Sequence, residues 1–236
     1  MDAALFGKER WDGSRFLVIM QRYGVTPEMF LYRLTQVLPK RFGLHQQHFL
    51  RVTHDAETHG FHVTKELNMS GLLIPTGLGG HEHYCRRWVA ISLLRQMEEQ
   101  QRRGPVKGPL IAVQRSRFIS MGEEHFRIAL ARPLALSQGS SSCVTLGFPL
   151  DDIFKQTVRF WDDPAVPQVD VNVTCERCGL SRQECGDRAA PPTLHEQQQA
   201  LEARNEALEQ LFADSKAEGK AEPKPEGKPE PKVAKG

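Results

Sequence analysis

Residues 48–67 read HFLRVTHDAETHGFHVTKEL, and here the apolar period changes to two. HFLRVTHD (48–55) and GFHVTKEL (60–67) each alternate as a half-buried strand does. DAETHG (55–60) lies between them and is rich in the Asp, Thr and Gly that favour turns, so the stretch predicts a pair of joined strands. Three further strand candidates follow at LIAVQRSRFIS (110–120), HFRIALARPLAL (125–136) and CVTLGFPL (143–150). Between the two groups, YCRRWVAISLLRQMEEQQRR (84–103) has helical spacing, with Trp88, Ile91, Leu94, Arg95 and Met97 on one face and Gly104-Pro105 as its stop. The order strand, strand, helix, strand, strand, strand predicts an α+β fold, an antiparallel sheet with a covering helix.

Upstream, SRFLVIMQRYGVTPEMFLYRLTQVLP (14–39) predicts two helices around a corner. Gly24 stops the first, Thr26 caps the second and Pro27 takes the first helical position, where no amide hydrogen is needed. Phe30, Leu31, Leu34 and Leu38 make its apolar face, and Pro39 ends it. LNMSGLLIPTGLGG (67–80) is a glycine-punctuated loop. WDDPAVPQVDVNVT (161–174) is a proline-broken connection leading into a last short strand. After Pro191-Pro192, Thr193 and Glu196 form a capping-box signature. Leu194, Leu201 and Leu208, widened by Leu211 and Phe212, then predict an amphipathic helix. From Asp214 the Lys/Glu/Pro/Gly repeat has almost no apolar content and is expected to be disordered. The expected organisation is therefore a helical segment over 1–42, an α+β domain over 43–192, a C-terminal helix over 193–213 and a tail over 214–236.

Net charge over the 236 residues is only +2, which gives little support for non-specific nucleic-acid binding. The corner RYGVTPEMFLYRL (22–34) has the outline of a helix-turn-helix, yet its second helix opens with Pro27, Glu28, Met29 and Phe30. That acidic and apolar set does not read base edges, so the pair is expected to pack and direct DNA contact is not expected of this chain. No apolar run approaches the ~20 residues of a membrane span. The N-terminus lacks a basic stretch followed by an apolar core, and five cysteines is an odd number. Both point to reduced thiols and a cytoplasmic location, which argues against a disulfide framework.

TCERCGLSRQECGDRAAPP (174–192) holds three of those cysteines. Cys175-x2-Cys178 places two sulfurs on one tight turn, where both reach a single tetrahedral ion, and Cys185 supplies a third. The best candidate for the fourth ligand is Cys85 in HEHYC (81–85), with His81 and His83 as alternatives. A structural zinc on Cys85, Cys175, Cys178 and Cys185 would tie the start of the central helix to the end of the domain and close a long loop. Inert packing thiols and a redox pair are the competing readings. Cys143 reads as a core strand residue. No HExxH, GxSxG, Walker or dinucleotide fingerprint occurs, so no catalytic residue is assigned.

RYGVTPEMFLYRL also resembles the segment that follows the catalytic helix in the ImmA/IrrE family of zinc metallopeptidases. LNMSGLLIP (67–75), EHYCRRW (82–88), ARPLAL (131–136) and the cysteine-bearing stretch 174–192 are similar to the C-terminal region of related regulators. Those are long bacterial transcription factors with an Xre-type helix-turn-helix, a peptidase-like middle and a cysteine-bearing sensory domain associated with short-chain fatty-acyl metabolism. The resemblance covers residues 14–192. It implies a non-catalytic sensor module, with an acyl ligand or a partner regulator. The alternative it implies is the C-terminal part of a metallopeptidase. Neither the helix-turn-helix nor the HExxH helix matches any residue here. The corresponding expectation is a split or shortened regulator, or a gene whose start lies upstream.

Overall fold

The strand pair forms as its alternation requires. In a computed structural model that describes residues 5–58, 60–74, 82–135, 139–186 and 194–218, β1 (His48–His54) and β2 (Phe61–Asn68) lie antiparallel. Asp55 organises the turn between them. Its carboxylate accepts from the Glu57 amide (3.0 Å) and the Thr58 hydroxyl (3.0 Å), the local pattern that makes Asp a turn former. The register slips between Arg51 and Val52, an irregularity that bends the ribbon. β3 (Leu110–Phe118), β4 (Glu123–Pro133) and β5 (Ser141–Pro149) form an antiparallel meander, and β1 lies along the outside of β5.

The short strand expected after the proline-broken stretch is β6 (Gln168–Val171), but it pairs parallel with Arg115–Phe118 of β3. The connection from β5 causes this. It runs through α4 (Asp152–Thr157) and carries the chain back along the sheet, so β6 enters in the same direction as β3. The six strands take the order β2-β1-β5-β4-β3-β6, and the fold is α+β.

Helices cover both faces of the sheet. On one face lie α1 (Ser14–Arg22) and α2 (Pro27–Phe42), joined at a corner where Gly24 has φ 60°. Thr26 caps α2 by accepting the Met29 amide (3.3 Å). The apolar stripe Phe30, Leu31, Leu34 and Leu38 packs with Phe16 and Met20 on Phe49, Phe126, Ile128, Leu146 and Phe148 of the sheet. Pro39 does not end this helix. The helix continues to Phe42 and stops at Gly43, which is left-handed at φ 71°. Pro39 has no amide hydrogen for the carbonyl of Thr35 one turn back. The buried side chain of Gln47 supplies the missing donor, with Nε2 2.6 Å from that oxygen.

α3 (Val89–Arg103) covers the other face and starts five residues later than its sequence period suggested. Trp88 is extended, and Tyr84 forms an isolated antiparallel bridge to Thr174, so 84–88 serve another contact. Within α3, Ile91, Leu93, Leu94 and Met97 are buried on Leu50, Val52, Ala129, Ala131 and Cys143, whereas Arg95 is exposed. The small Ala129 and Ala131 side chains give the helix room to approach the strands. No side chain of its own caps α3. Gln114 on β3 does so instead: its Oε1 accepts the Val89 amide (3.2 Å) and its Nε2 donates to the Arg87 carbonyl (3.0 Å).

Residues to His195 form one compact unit and those from Glu196 a second. A one-turn helix, α5 (Arg182–Cys185), lies near the end of the first. α6 (Leu194–Glu218) runs for 25 residues, with Leu201, Leu208, Leu211 and Phe212 exposed. It passes through 214–218, where the sequence predicts disorder, because Ala, Lys and Glu there are good helix formers. Thr193 of the expected capping box and residues 219–236 lie outside the described residues. Among the described residues no helix is long and apolar enough to cross a membrane.

Candidate functional site

Beyond β6 the chain continues through Asn172–Thr174 and meets the segment 82–88, far away in sequence. The Cys85 amide donates to the Val173 carbonyl (3.2 Å) and the Cys175 amide to the His83 carbonyl (2.8 Å), around the Tyr84–Thr174 bridge. The Trp88 indole N–H donates to the Asn172 carbonyl (2.7 Å), and the Asn172 amide points at the Cys85 sulfur (3.5 Å). Two side-chain pairs fasten the outside. Glu176 accepts the His83 amide (2.7 Å) and contacts its Nδ1 (2.8 Å), while Arg177 donates to Glu82 through Nε (3.0 Å) and Nη2 (2.9 Å).

These contacts bury Cys85, Cys175 and Cys178 together. The Cys85 thiol is pushed up to about 11, chiefly by burial. The Asn172 and Arg87 amides oppose the shift, and the neighbouring Cys175 and Cys178 add to it. The Cys175 sulfur is 3.7 Å from the Tyr84 carbonyl. Cys185 sits half-exposed on α5, whose start is a reciprocal cap between Ser181 and Glu184 that the local sequence SRQE encodes. All five cysteines are thiols, and Cys143 is buried in β5 as its strand position implies. The turn holding Cys175 and Cys178 does not open a helix, the setting a redox CxxC uses. His83, an alternative fourth ligand, is engaged by Glu176, and His81 lies outside the described residues. Among the described residues no group of three or more His, Cys, Asp or Glu side chains is arranged to hold a metal ion.

A second cluster lies on the same face of the sheet, and the sequence did not announce it. One row across the strands runs Asn68, His48, Gly147, Arg127, Gln114, with His125 and Ser116 in the next row. Arg127 is 1% exposed, its guanidinium carbon 5.1 Å from the Trp88 ring and 4.8 Å from that of Phe118. Among the described residues its Nε and Nη2 have no hydrogen-bond partner. The His48 and His125 rings lie 5.3 Å apart. His48 uses Nδ1 on Ser70 (3.2 Å) and His125 uses Nε2 on Glu123 (3.2 Å), and among the described residues His48 Nε2 and His125 Nδ1 have no partner. Burial drives all three toward neutrality. Arg127 falls to about 9, against the opposing effect of Cys85, and both histidines fall below the ordinary 6.5.

No family model matches the chain, and no curated protein matches it. Among solved structures, a Mycobacterium tuberculosis transcriptional regulator is similar at 19% identity and a TM-score of 0.46. The similarity takes in 75% of this chain and 51% of that one, so this chain spans about half the length of the structure it matches.

Proposed function

We propose that the chain is a non-catalytic regulatory module of a bacterial transcriptional regulator, with a structural zinc held by Cys85, Cys175, Cys178 and Cys185. One observation carries the reading: two segments remote in sequence bury Cys85 beside Cys175 and Cys178. The donor set is chemically apt, since soft thiolates are preferred ligands of a closed tetrahedral zinc site. The ion would add a coordination tie where hydrogen bonds already join the start of α3 to the end of the sheet. Its uptake would release thiol protons, so affinity should rise with pH. The role follows from the resemblance over 14–192 together with the absence of catalytic motifs. In that role the module responds to a small acyl ligand or to a partner regulator.

The test is elemental mass spectrometry on protein purified without chelator. About one zinc per chain is expected. Cys175→Ser/Cys178→Ser should lose the metal and unfold at a lower temperature. Unchanged metal content and unfolding temperature in that variant would sink the proposal.

A further inference from the structure

Among the described residues, the Arg127 guanidinium has no partner for Nε or Nη2, although it is fully buried. A buried guanidinium whose N–H groups find no acceptor has given up water without replacement, which is strongly unfavourable. The two open atoms are not scattered. Nε and Nη2 share one edge of the guanidinium, the fork that receives the two oxygens of a carboxylate side by side. The Trp88 and Phe118 rings, which lie against the guanidinium carbon, offer those two atoms no acceptor.

Further unsatisfied groups lie alongside. His48 and Arg127 flank Gly147 in register, and an added Cβ on Gly147 would lie 2.2 Å from His48 Nε2. The imidazole therefore leans across the space a side chain would fill. Among the described residues His48 Nε2 and the buried Thr145 hydroxyl have no partner. From this geometry we infer a binding site for the carboxylate of a small molecule, gripped by the Arg127 fork with His48 and Thr145 alongside. Burial disfavours the charged form of both histidines, so the positive charge the site offers is that of Arg127. That charge suits a monoanion better than a phosphate dianion.

Occupancy would be felt at the cysteines. Trp88, whose ring meets the guanidinium, is anchored by its indole N–H to the Asn172 carbonyl in the cysteine-bearing segment. The inference rests on the regulatory reading for its purpose only, since binding is measured on the chain alone.

The experiment follows thermal unfolding and tryptophan emission of the full chain titrated with acetate. Phosphate and chloride at matched ionic strength form the control arms. Acetate should raise the unfolding temperature saturably and change the emission, whereas phosphate and chloride should not. Arg127→Met should abolish the acetate response while keeping its metal content. Arg127→Lys, which retains charge without the fork, should weaken acetate binding by about tenfold or more. An acetate effect no larger than that of chloride overturns the proposal. So does an acetate effect in Arg127→Met equal to that in the parent chain. Loss of metal in Arg127→Met, with no acetate response in the parent chain, would make Arg127 a counter-charge to the metal centre instead and also overturns it. A chain without zinc that still responds to acetate refutes the metal reading alone. A zinc-bearing chain that ignores acetate refutes only this one.

Discussion

Gly147 sits in the middle of β5 with ordinary strand geometry, so its lack of a side chain serves space and not backbone freedom. A Cβ there would be 2.2 Å from Nε2 and 2.3 Å from Cε1 of His48, a ring too buried to swing aside. Gly147→Ala should therefore destabilise the fold by about 1–3 kcal/mol, and adding His48→Ala should recover part of that loss. Urea denaturation of the two single variants and the double variant measures the coupling; simple additivity would refute it. Nothing in CVTLGFPL marks this glycine as a partner of His48, because the relation exists only once β1 lies against β5. His125 and Arg127 were obscured for a related reason. Polar residues alternating with Phe126 and Ile128 read as the wet side of a strand, and here α3 covers that side. By contrast, Cys143 and the stripe Phe30, Leu31, Leu34 and Leu38 were readable from local period alone.

Helix ends show the same division between local and distant causes. Thr26 and Pro27 start α2 through their own chemistry, and the sequence states it. The end of α2 and the start of α3 depend on Gln47 and Gln114, side chains that reach across from elsewhere. Local rules therefore misplace both boundaries. Gln114 also accepts the Ser116 hydroxyl (2.8 Å), so one amide group serves three partners in a buried place. Gln114→Leu should cost about 1–3 kcal/mol by leaving the Val89 amide unsatisfied. Hydrogen exchange should quicken at the first turn of α3 more than at its last. Uniform exchange along the helix would contradict this role. The candidate site divides likewise: the cysteine motif was visible in the chain, whereas the Arg127 row emerges only from cross-strand register.

Burial of His48 and His125 sets how the folded chain responds to acid. Both have folded values below 6.5 because the charged form loses its water, so the unfolded chain binds protons that the folded chain refuses. Their contribution to stability is complete above the unfolded value of 6.5 and falls as pH drops below it toward the folded values. Asp55, Asp163 and Asp170, lowered from 3.8 by hydrogen bonds, act only in more acidic solution. The urea midpoint should thus be lower at about pH 5.5 than at about pH 7.5, and His48→Asn should flatten the difference. A midpoint that holds or rises on acidification would refute the assignment. The same sheet ends on β2 and β6, each paired along one side only among the described residues. Each is poorly suited to pairing with a neighbour's strand. β2 carries exposed Lys65 and a slipped register beside it, and β6 is four residues long and preceded by Pro164 and Pro167. A chain built this way should resist joining edge to edge into aggregates.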